Sequence, residues 1–470
     1  MGDMETTSRK KSIFAWALLP TVFALAWPTM LEQLMQTAVQ YIDTAMVGSL
    51  GTAATAAVGS TLTVNWLIGS TVSAFGVGFL AQISQAFGAG DEGLARRAAA
   101  QSVLAVLVLG ALFTALTLSL SGFVPVWMQV EPALRQTAAR YFFVLYLPML
   151  PRTAMILFGT VLRAAGDTKT PMRVGIGVNL VNVVLNFLLI YPRRTALLFG
   201  HAVTLWGADW GVAGAAAASA LSFLYGGAAI SLALFRHGRV SPRGLSLRPD
   251  GKLLRPCLRV AFPNMLQRFG TSLGYVAFAA MINALGGTAT AAHTIANTVE
   301  SAFYIPGYGM MSAAATLTGN AIGAGDEQRR KDTAALIFLL EIGMMLLSGA
   351  LLFAFAPEMV GLFSRDKTVV ALGSRVLRMV ALSEPFYGVC IVVEGMLQGA
   401  GRTKAPFVFN ILGMWGVRIV GTFICTKLLG MGLVSAWGCM IGHNMLLFAL
   451  FLGYYLSGRW LRTGMRGERI

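Results

Sequence analysis

Four polar side chains within one long apolar segment are the residues best suited to chemistry. Glu32 and Asp43 are 11 residues apart, and on a helix that turns about 100° per residue they lie about 20° from a common line. Gln36 and Gln40 fall within the same arc. An ionisable side chain inside a membrane span costs about 3 kcal/mol on insertion scales and is therefore a functional candidate. The stripe must point into protein or water; a structural polar seam between helices is the alternative.

A second polar stripe lies about 140 residues further along the chain. Asn179, Asn182 and Asn186 follow one another at steps of three and four, which stacks their amides on one side of a helix. Hard cations such as sodium prefer oxygen ligands, whereas burial disfavours the charged form of a carboxylate, which can then take a proton instead. A carboxylate facing these amides therefore predicts a site for H+ or Na+, and both ions remain open. We expect no other metal and no cofactor.

Composition indicates which elements must position these residues. The chain has 470 residues, of which 56% are hydrophobic and 12% charged, whereas soluble domains carry about 25% charged residues. A helix needs about 20 apolar residues to cross a hydrocarbon core of about 30 Å, and about twelve such runs recur here. We therefore predict an all-α polytopic membrane protein. The runs cover approximately 14–40, 54–82, 98–121, 136–160, 173–191, 210–235, 257–283, 289–318, 334–356, 370–396, 407–429 and 433–456.

The chain contains an internal duplication. Gly88–Glu92 recurs as Gly323–Glu327 at a separation of 323 − 88 = 235 residues, and Leu162–Pro171 resembles Leu397–Pro406 at the same offset. A parallel repeat of this kind predicts two homologous six-helix bundles with a central cleft and alternating access by rocking of one bundle against the other. The expected units are 1–235, a cytoplasmic linker at 236–256, and 257–470.

Two prolines also obey this offset. Pro28 and Pro263 lie early in the first span of each half, where a proline removes one helix hydrogen bond and permits a kink. They are candidate hinges, although a static kink explains them equally well.

Basic residues predict the orientation. A net charge of +16 would suggest nucleic acid as a partner of a soluble protein, but here the bilayer is the expected partner and no nucleic acid is predicted. By the positive-inside rule, the loops rich in Arg and Lys and both termini are cytoplasmic. These basic clusters are Arg9–Lys11, Arg96–Arg97, Arg163–Arg173, Arg236–Arg259, Arg329–Lys331, Arg402–Lys404 and Arg459–Arg469.

The two halves carry different polar residues. The offset of 235 places Phe278 opposite Asp43 and Gln267 opposite Glu32, so the second half lacks the first stripe. Its candidate cleft residues are Glu300, Glu384, Tyr308 and Tyr387, with Glu341 and Glu394 as further intramembrane acids. Arg152, Arg268 and Arg418 also lie in apolar stretches, and pairing with an acid is the simplest way to keep an arginine there.

These motifs together resemble the multidrug and toxic compound extrusion family over residues 15–455. The resemblance rests on Pro28 with Glu32, on Asp43–Gly48, on both Gly-Ala-Gly-Asp turns, on Leu162–Pro171 and on Asn297–Glu300 leading to Pro306-Gly307. It implies efflux of small organic, mostly cationic amphiphiles in exchange for H+ or Na+, from a bacterial inner membrane and by a monomer. In that family an aspartate and asparagines form the ion site, which Asp43, Asn182 and Asn186 match. Tyr387 stands where some relatives carry an acid, which weakens the case for a second site.

Two other functions remain as alternatives. A lipid or lipid-linked oligosaccharide flippase would share the two-bundle plan but needs a strongly cationic cleft. A membrane-embedded enzyme would need a nucleophile, a metal cluster or paired carboxylates at one depth. Gly88–Gly93 satisfies the pattern of a dinucleotide-binding loop, but it lies between two spans instead of in a βαβ unit. We therefore predict a transporter and no enzyme.

Overall fold

The computed structural model describes residues 16–128, 130–198 and 201–461. The predicted orientation signals at Arg9–Lys11 and beyond residue 461 lie outside the described residues. Twelve long helical units follow one another, and two of them are bent pairs. In the first half these are α1 (Leu19–Gly48), α2 (Thr52–Gly88), α3 (Glu92–Leu120), α4 (Pro132–Tyr146 and Met149–Ala164), α5 (Lys169–Leu189) and α6 (Gly211–Arg236).

The second half has the same order of helices. It comprises α7 (Gly251–Asn283), α8 (Gly287–Ala324), α9 (Glu327–Ala354), α10 (Lys367–Ala381 and Glu384–Gly399), α11 (Lys404–Leu428) and α12 (Leu433–Leu456). Helix α11 is π-helical over Leu412–Ile419 and Ile424–Leu428. Short helices at Val124–Trp127, Ala356–Gly361 and Arg459–Leu461 complete the helical elements of the described chain.

The length and hydropathy of these helices fit a membrane protein. Among the described residues, 7 helices are long and apolar enough to cross a bilayer, or up to 9 if each bent pair is one span. Helices α1, α7 and α8 are 30, 33 and 38 residues long but are not among these apolar helices. They contain polar residues that were noted in the sequence, such as Asp43, Gln267 and Glu300. The predicted all-α, two-lobed architecture is confirmed apart from one short β-hairpin, and the count of about twelve holds as an approximation.

The duplication extends to the boundaries of the helices. α1 and α7 end 283 − 48 = 235 residues apart, and α5 and α11 begin 404 − 169 = 235 residues apart. The correspondence stops after α5, because a hairpin precedes α6. Its strands β1 (Arg194–Leu198) and β2 (His201–Leu205) are antiparallel, with Arg194 paired to Leu205. Sequence analysis did not predict this hairpin; the long α5–α6 connection has room to pair with itself, whereas only four residues connect α11 and α12.

Helix α1 extends further than its apolar run suggests. The sequence predicts a span ending near residue 40, but the helix continues to Gly48 and therefore includes Asp43. Between the two halves, α6 ends at Arg236 and α7 begins at Gly251. The non-helical linker is thus 237–250, shorter than the predicted 236–256, and the domain limits remain a proposal.

The duplicated Gly-Ala-Gly-Asp motif forms a tight turn between two helices. Gly90 and Gly325 have φ of 71° and 65°, a left-handed conformation that glycine adopts without steric cost. Asp91 then caps α3 by accepting a hydrogen bond from the Leu94 N–H at 2.8 Å, and Asp326 caps α9 in the same way at 2.8 Å. We call the side of the molecule with these turns the motif face.

The first glycine of each motif lets the two bundles approach closely at the motif face. A Cβ on Gly88 would collide with the backbone of Asn320, and a Cβ on Gly323 would collide with the backbone of Gln85. Since 320 − 85 = 235, the α2–α8 crossing is pseudo-symmetric. The Gln85 side chain adds a hydrogen bond from Nε2 to the Gly399 carbonyl at 2.9 Å.

Further contacts between the bundles lie in the same half of the molecule. Met30 of α1 packs against Gly309 of α8, and Val22, Leu25 and Ala26 of α1 share a buried apolar cluster with residues of α8 and α9. The bundles are therefore closed against each other at the motif face. Asp43, near the other end of α1, lies beyond these contacts.

We expect Gly88→Val or Gly323→Val to separate the bundles at the motif face, because the new side chain meets backbone and overpacking of this kind costs about 1–3 kcal/mol. Ser84, which is fully buried at this crossing, is the reporter. In a background with Cys257, Cys390, Cys425 and Cys439 replaced by serine, a Ser84→Cys variant should react several-fold faster with a water-soluble maleimide when either glycine is changed.

The control for this measurement is Gly343→Val in α9, where an added Cβ meets no atom within 4 Å. This variant should leave the labelling of Cys at position 84 unchanged. Equal labelling rates in the control and in both motif variants would contradict the role given to the two glycines.

Candidate ion and substrate sites

Helices α1 and α5 bring Asp43 together with two of the predicted asparagines. Asn186 Nδ2 donates a hydrogen bond to Asp43 Oδ1 at 2.5 Å, and the Asn182 amide lies 2.8 Å from the same oxygen. Both asparagines are buried and Asp43 is half-buried. Hydrogen bonds to an ionised acceptor are about twice as strong as neutral ones, so these amides hold the carboxylate in place.

The Asn182 amide has two useful orientations. With its nitrogen toward Asp43, it donates to Oδ1 at 2.8 Å and to Oδ2 at 3.2 Å, while its oxygen accepts from the Ser219 hydroxyl at 3.2 Å. With its oxygen toward Asp43, its nitrogen donates to Ser219 and its oxygen accepts from Asn186 at 3.1 Å. The first orientation suits a bare carboxylate, and the second offers an oxygen to a cation or to a protonated carboxyl.

The oxygen atoms around Asp43 fit a small hard cation. Among the described residues, the buried oxygen Asn186 Oδ1 has no hydrogen-bond partner. Together with the Asp43 carboxylate, the Asn182 oxygen and the Ser219 hydroxyl, it forms a set of oxygen ligands of the kind that hard cations prefer. Ser219 was not predicted from the sequence, because no pattern of spacing distinguishes it from the other serines of α6.

The structure places the other predicted ion-site residues apart from Asp43. Glu32 forms an ion pair with Arg163 of α4, with Nη1 and Oε2 separated by 3.1 Å. Asn179 is half-buried, one turn before Asn182, and makes none of the hydrogen bonds found at Asp43. Gln36 and Gln40 are exposed on the Asp43 side of α1. The predicted polar stripe therefore divides into a carboxylate–amide site, an ion pair and two exposed amides.

The candidate hinges are supported by a hydrogen bond that sequence analysis did not predict. Pro28 leaves the Ala24 carbonyl without its usual helical donor, and the Thr168 hydroxyl donates to that carbonyl at 3.2 Å. In the second half, the hydroxyl of Thr403 donates to the Val260 carbonyl, just before Pro263, at 2.6 Å. Since 403 − 168 = 235, the recurrence of Thr in both copies was a usable signal.

The predicted cleft residues of the second half come together but are mostly buried. Glu300 and Glu384 are 7% and 1% exposed, whereas Tyr308 is 36% exposed. Tyr304 of α8 makes edge contacts with Tyr308 and Tyr387, with ring centres 5.9 and 6.0 Å apart. In this conformation Tyr308 is therefore the accessible member, and the two acids lie behind the surface.

The sequence favoured Glu341 of α9 less than Glu300 and Glu384 as a cleft residue, yet it is more deeply buried than either. It is 0% exposed, and among the described residues neither carboxyl oxygen has a hydrogen-bond partner. Gly307 of α8 and Gly388 of α10 leave room for it, because a Cβ on either would lie within 2.9 Å of Glu341 Oε1. Glu394, by contrast, accepts hydrogen bonds from Gln267, Gln398 and Asn410.

Comparison with known proteins identifies the family. The MatE family model matches residues 28–188 and 263–424, and the two matches begin 263 − 28 = 235 residues apart. The chain belongs to the MatE family. The match covers the two copies of the duplicated unit and leaves out α6 and α12 entirely, which are the helices that do not follow the common offset.

Relatives and solved structures agree with this assignment along the whole chain. A probable multidrug resistance protein NorM of Thermotoga maritima is 28% identical over 95% of this chain and 94% of its own length. The corresponding protein of Deinococcus radiodurans is 30% identical over 96% of each chain. A multidrug resistance MATE family transporter solved in an outward-facing conformation has a TM-score of 0.84 and 23% identity, covering 93% of this chain and 95% of that one.

We expect the Glu32–Arg163 pair to contribute measurably to stability. The two side chains are only 14% and 18% exposed, so a double-mutant cycle with Glu32→Gln and Arg163→Gln should give a coupling energy of about 1–3 kcal/mol. The measurement is the free energy of unfolding in detergent micelles.

The Glu92–Arg239 pair is the matched control, because its atoms are as close as 2.7 Å but its side chains are 50% and 57% exposed. Exposed pairs of this kind give less than about 1 kcal/mol. Similar coupling energies for the two pairs would show that burial does not determine the strength of the Glu32–Arg163 contact.

Proposed function

We propose that this protein is a secondary active antiporter that exports small organic, mostly cationic amphiphilic compounds in exchange for H+ or Na+. Membership of the MatE family and the relatives named as multidrug resistance proteins support the efflux of drugs. The observation that carries the ion coupling is the Asp43 site, in which a half-buried carboxylate contacts the amides of two buried asparagines, one of which has an oxygen without a hydrogen-bond partner.

Orientation and conformation follow from the same proposal. Basic loops at the motif face favour a cytoplasmic location for that side and for both termini, with the chain in the cell inner membrane. The bundles are in contact at the motif face, so this conformation is closed to the cytoplasm and the cleft opens outward. Alternating access then requires the α2–α8 crossing at Gly88 and Gly323 to separate.

Helix α1 connects the proposed ion site to the interface between the lobes. Its last third carries Asp43, and it packs against α8 through Ala26 and Met30. Pro28 lies within this packed region, and Thr168 stabilises the carbonyl that the proline leaves free. A cation or proton at Asp43 replaces the Asn182 N–H contacts with oxygen contacts. That change biases the position of α1 and thereby the closure of the bundles.

The substrate class is inferred from the side chains that line the second half. Tyr308 and Tyr387 offer ring faces, which attract lipophilic cations, and Glu300 and Glu384 are buried acids of the same half. Gln36 and Gln40 add exposed amides on α1. We expect the protein to act as a monomer with no cofactor, since each lobe contains its own polar residues.

The test is efflux of a fluorescent lipophilic cation from proteoliposomes under a sodium gradient and, separately, a proton gradient. We expect one gradient to drive transport, and Asp43→Asn to reduce that transport to the rate of protein-free liposomes, because the neutral side chain cannot exchange a cation. Glu131→Gln is the control: Glu131 is an exposed acid at the start of α4 with no side-chain cap hydrogen bond.

The possible outcomes distinguish the antiporter from the flippase and the enzyme. Gradient-driven transport by Asp43→Asn at the wild-type rate would exclude Asp43 as the coupling carboxylate. If neither gradient moves the cation in the wild-type protein, the flippase becomes the leading function, and translocation of a fluorescent phospholipid in the same liposomes then tests it. A membrane-embedded enzyme would be indicated by chemical change of the added compound.

A further inference from the structure

A buried arginine in the second lobe lies against the residue that corresponds to Asp43. Arg418 of α11 is 4% exposed. Its guanidinium carbon is 4.2 Å from the ring centre of Phe278 and 5.0 Å from that of Tyr275, both in α7. A cation within about 6 Å of a ring centre is attracted by the negative face of the ring. Phe278 is the counterpart of Asp43, because 278 − 43 = 235.

The burial pattern shows that Arg418 also takes the place of an amide of the first lobe. In α5 and in α11, three buried inward-facing residues are spaced four apart. They are Val178, Asn182 and Asn186 in α5, and Met414, Arg418 and Thr422 in α11. The offset between the two sets is 236 instead of 235, and the π-helical segment Leu412–Ile419 accounts for the extra residue. Arg418 is thus the structural counterpart of Asn182, and Thr422 that of Asn186.

The side chains at this place cannot bind a free cation as those of the first lobe do. A carboxylate and two amides are replaced by an aromatic ring, a guanidinium and a hydroxyl. The guanidinium repels a second cation, since two like charges about 4 Å apart interact strongly in a medium of low dielectric constant. Three titratable side chains sense the charge of Arg418, namely the acid Glu300 and the imidazole of His293, both of α8, and the imidazole of His443 of α12.

We propose that Arg418 is a tethered cation, which permanently occupies in the second lobe the place that an exchangeable coupling cation takes in the first. The inference rests on the proposed function of Asp43 as the coupling carboxylate. It follows that the second lobe has no exchangeable cation at the place equivalent to Asp43, and the proposal predicts that one cation is exchanged for each substrate molecule. It also predicts that Glu300, which senses this fixed charge, does not enter the transport cycle as an ion carrier.

The number of exchanged cations can be measured in proteoliposomes with the membrane potential held at zero by potassium and valinomycin. At equilibrium, the logarithm of the substrate ratio is proportional to the logarithm of the imposed cation ratio, and the slope is the number of cations per substrate. The wild-type protein should give a slope of one. A slope of two would overturn the proposal, whereas a slope of zero would overturn the ion coupling itself.

Variants of Arg418 test whether this residue limits the number of exchanged cations to one. Arg418→Met should raise the slope toward two, because Glu300 then lacks its counter-charge and takes an exchangeable cation, while Arg418→Lys should keep it at one. Arg418→Met combined with Glu300→Gln removes both charges, leaves no unpaired buried ion and should return the slope to one. If Arg418→Met folds and still gives a slope of one, the guanidinium does not stand in for an ion.

Arg378→Met is the control for loss of another arginine from the same lobe. Arg378 of α10 is exposed and also lies over an aromatic ring, with its guanidinium carbon 5.8 Å from the ring centre of Phe353, and its Nε donates to the Phe353 carbonyl at 3.3 Å. Its removal should leave the slope at one. An equal rise in slope for Arg378→Met and Arg418→Met would mean that total charge, and not the position of Arg418, sets the number of cations.

Discussion

The structure depends on one constraint: a charged or polar side chain between transmembrane helices must find its partner within the protein, because lipid offers none. Several of the buried charges that the sequence singled out meet this constraint, each in a different way, whereas Glu341 has no hydrogen-bond partner among the described residues. Asp43 is held by amides, Glu32 by Arg163, and Arg152 by Asn65 Oδ1 at 2.8 Å. Arg418 lies on aromatic rings. These contacts join specific helices in specific registers, so the same residues that supply function also fix the packing of their bundle.

The two homologous bundles share the same backbone features but carry different charged residues. The shared part consists of the features that backbone geometry requires: the glycines at the α2–α8 crossing, the capping aspartates and the threonines beside Pro28 and Pro263. The residues that differ are those facing the interior of each bundle. In the first lobe Glu32 of α1 pairs with Arg163 of α4, whereas in the second lobe Arg418 of α11 lies on the ring of Phe278 of α7. This difference is the basis of the proposal that a symmetric scaffold binds a coupling ion in one lobe only.

Much of this was predictable from the sequence, and the failures have physical causes. Asp43, Asn182 and Asn186 were found because helical periodicity places each set on one face, and both sets lie near the same end of their helices. Glu32 was grouped with Asp43 for the same reason, but periodicity gives direction and not depth: at about 1.5 Å per residue the two acids are about 16 Å apart along α1. The partner of Glu32 lies in α4, and no local pattern identifies a contact between distant helices. The π-helical turns of α11 could not be predicted either, because they shift the buried face of the helix by one residue without any change in composition.

Helices α1 and α7 share a proline but differ in the side chain that lies beyond it. Both helices have a proline at the same position and a threonine hydroxyl donated to a carbonyl just before it. Only α1 carries a carboxylate beyond the proline, whereas α7 carries Phe278 beneath a fixed guanidinium. A ligand shifts a conformational equilibrium only if it interacts differently with the two states. On the proposal that Asp43 binds the coupling ion, the charge next to Phe278 in α7 stays constant throughout a cycle, and α1 is the helix whose free energy changes when an ion binds or leaves.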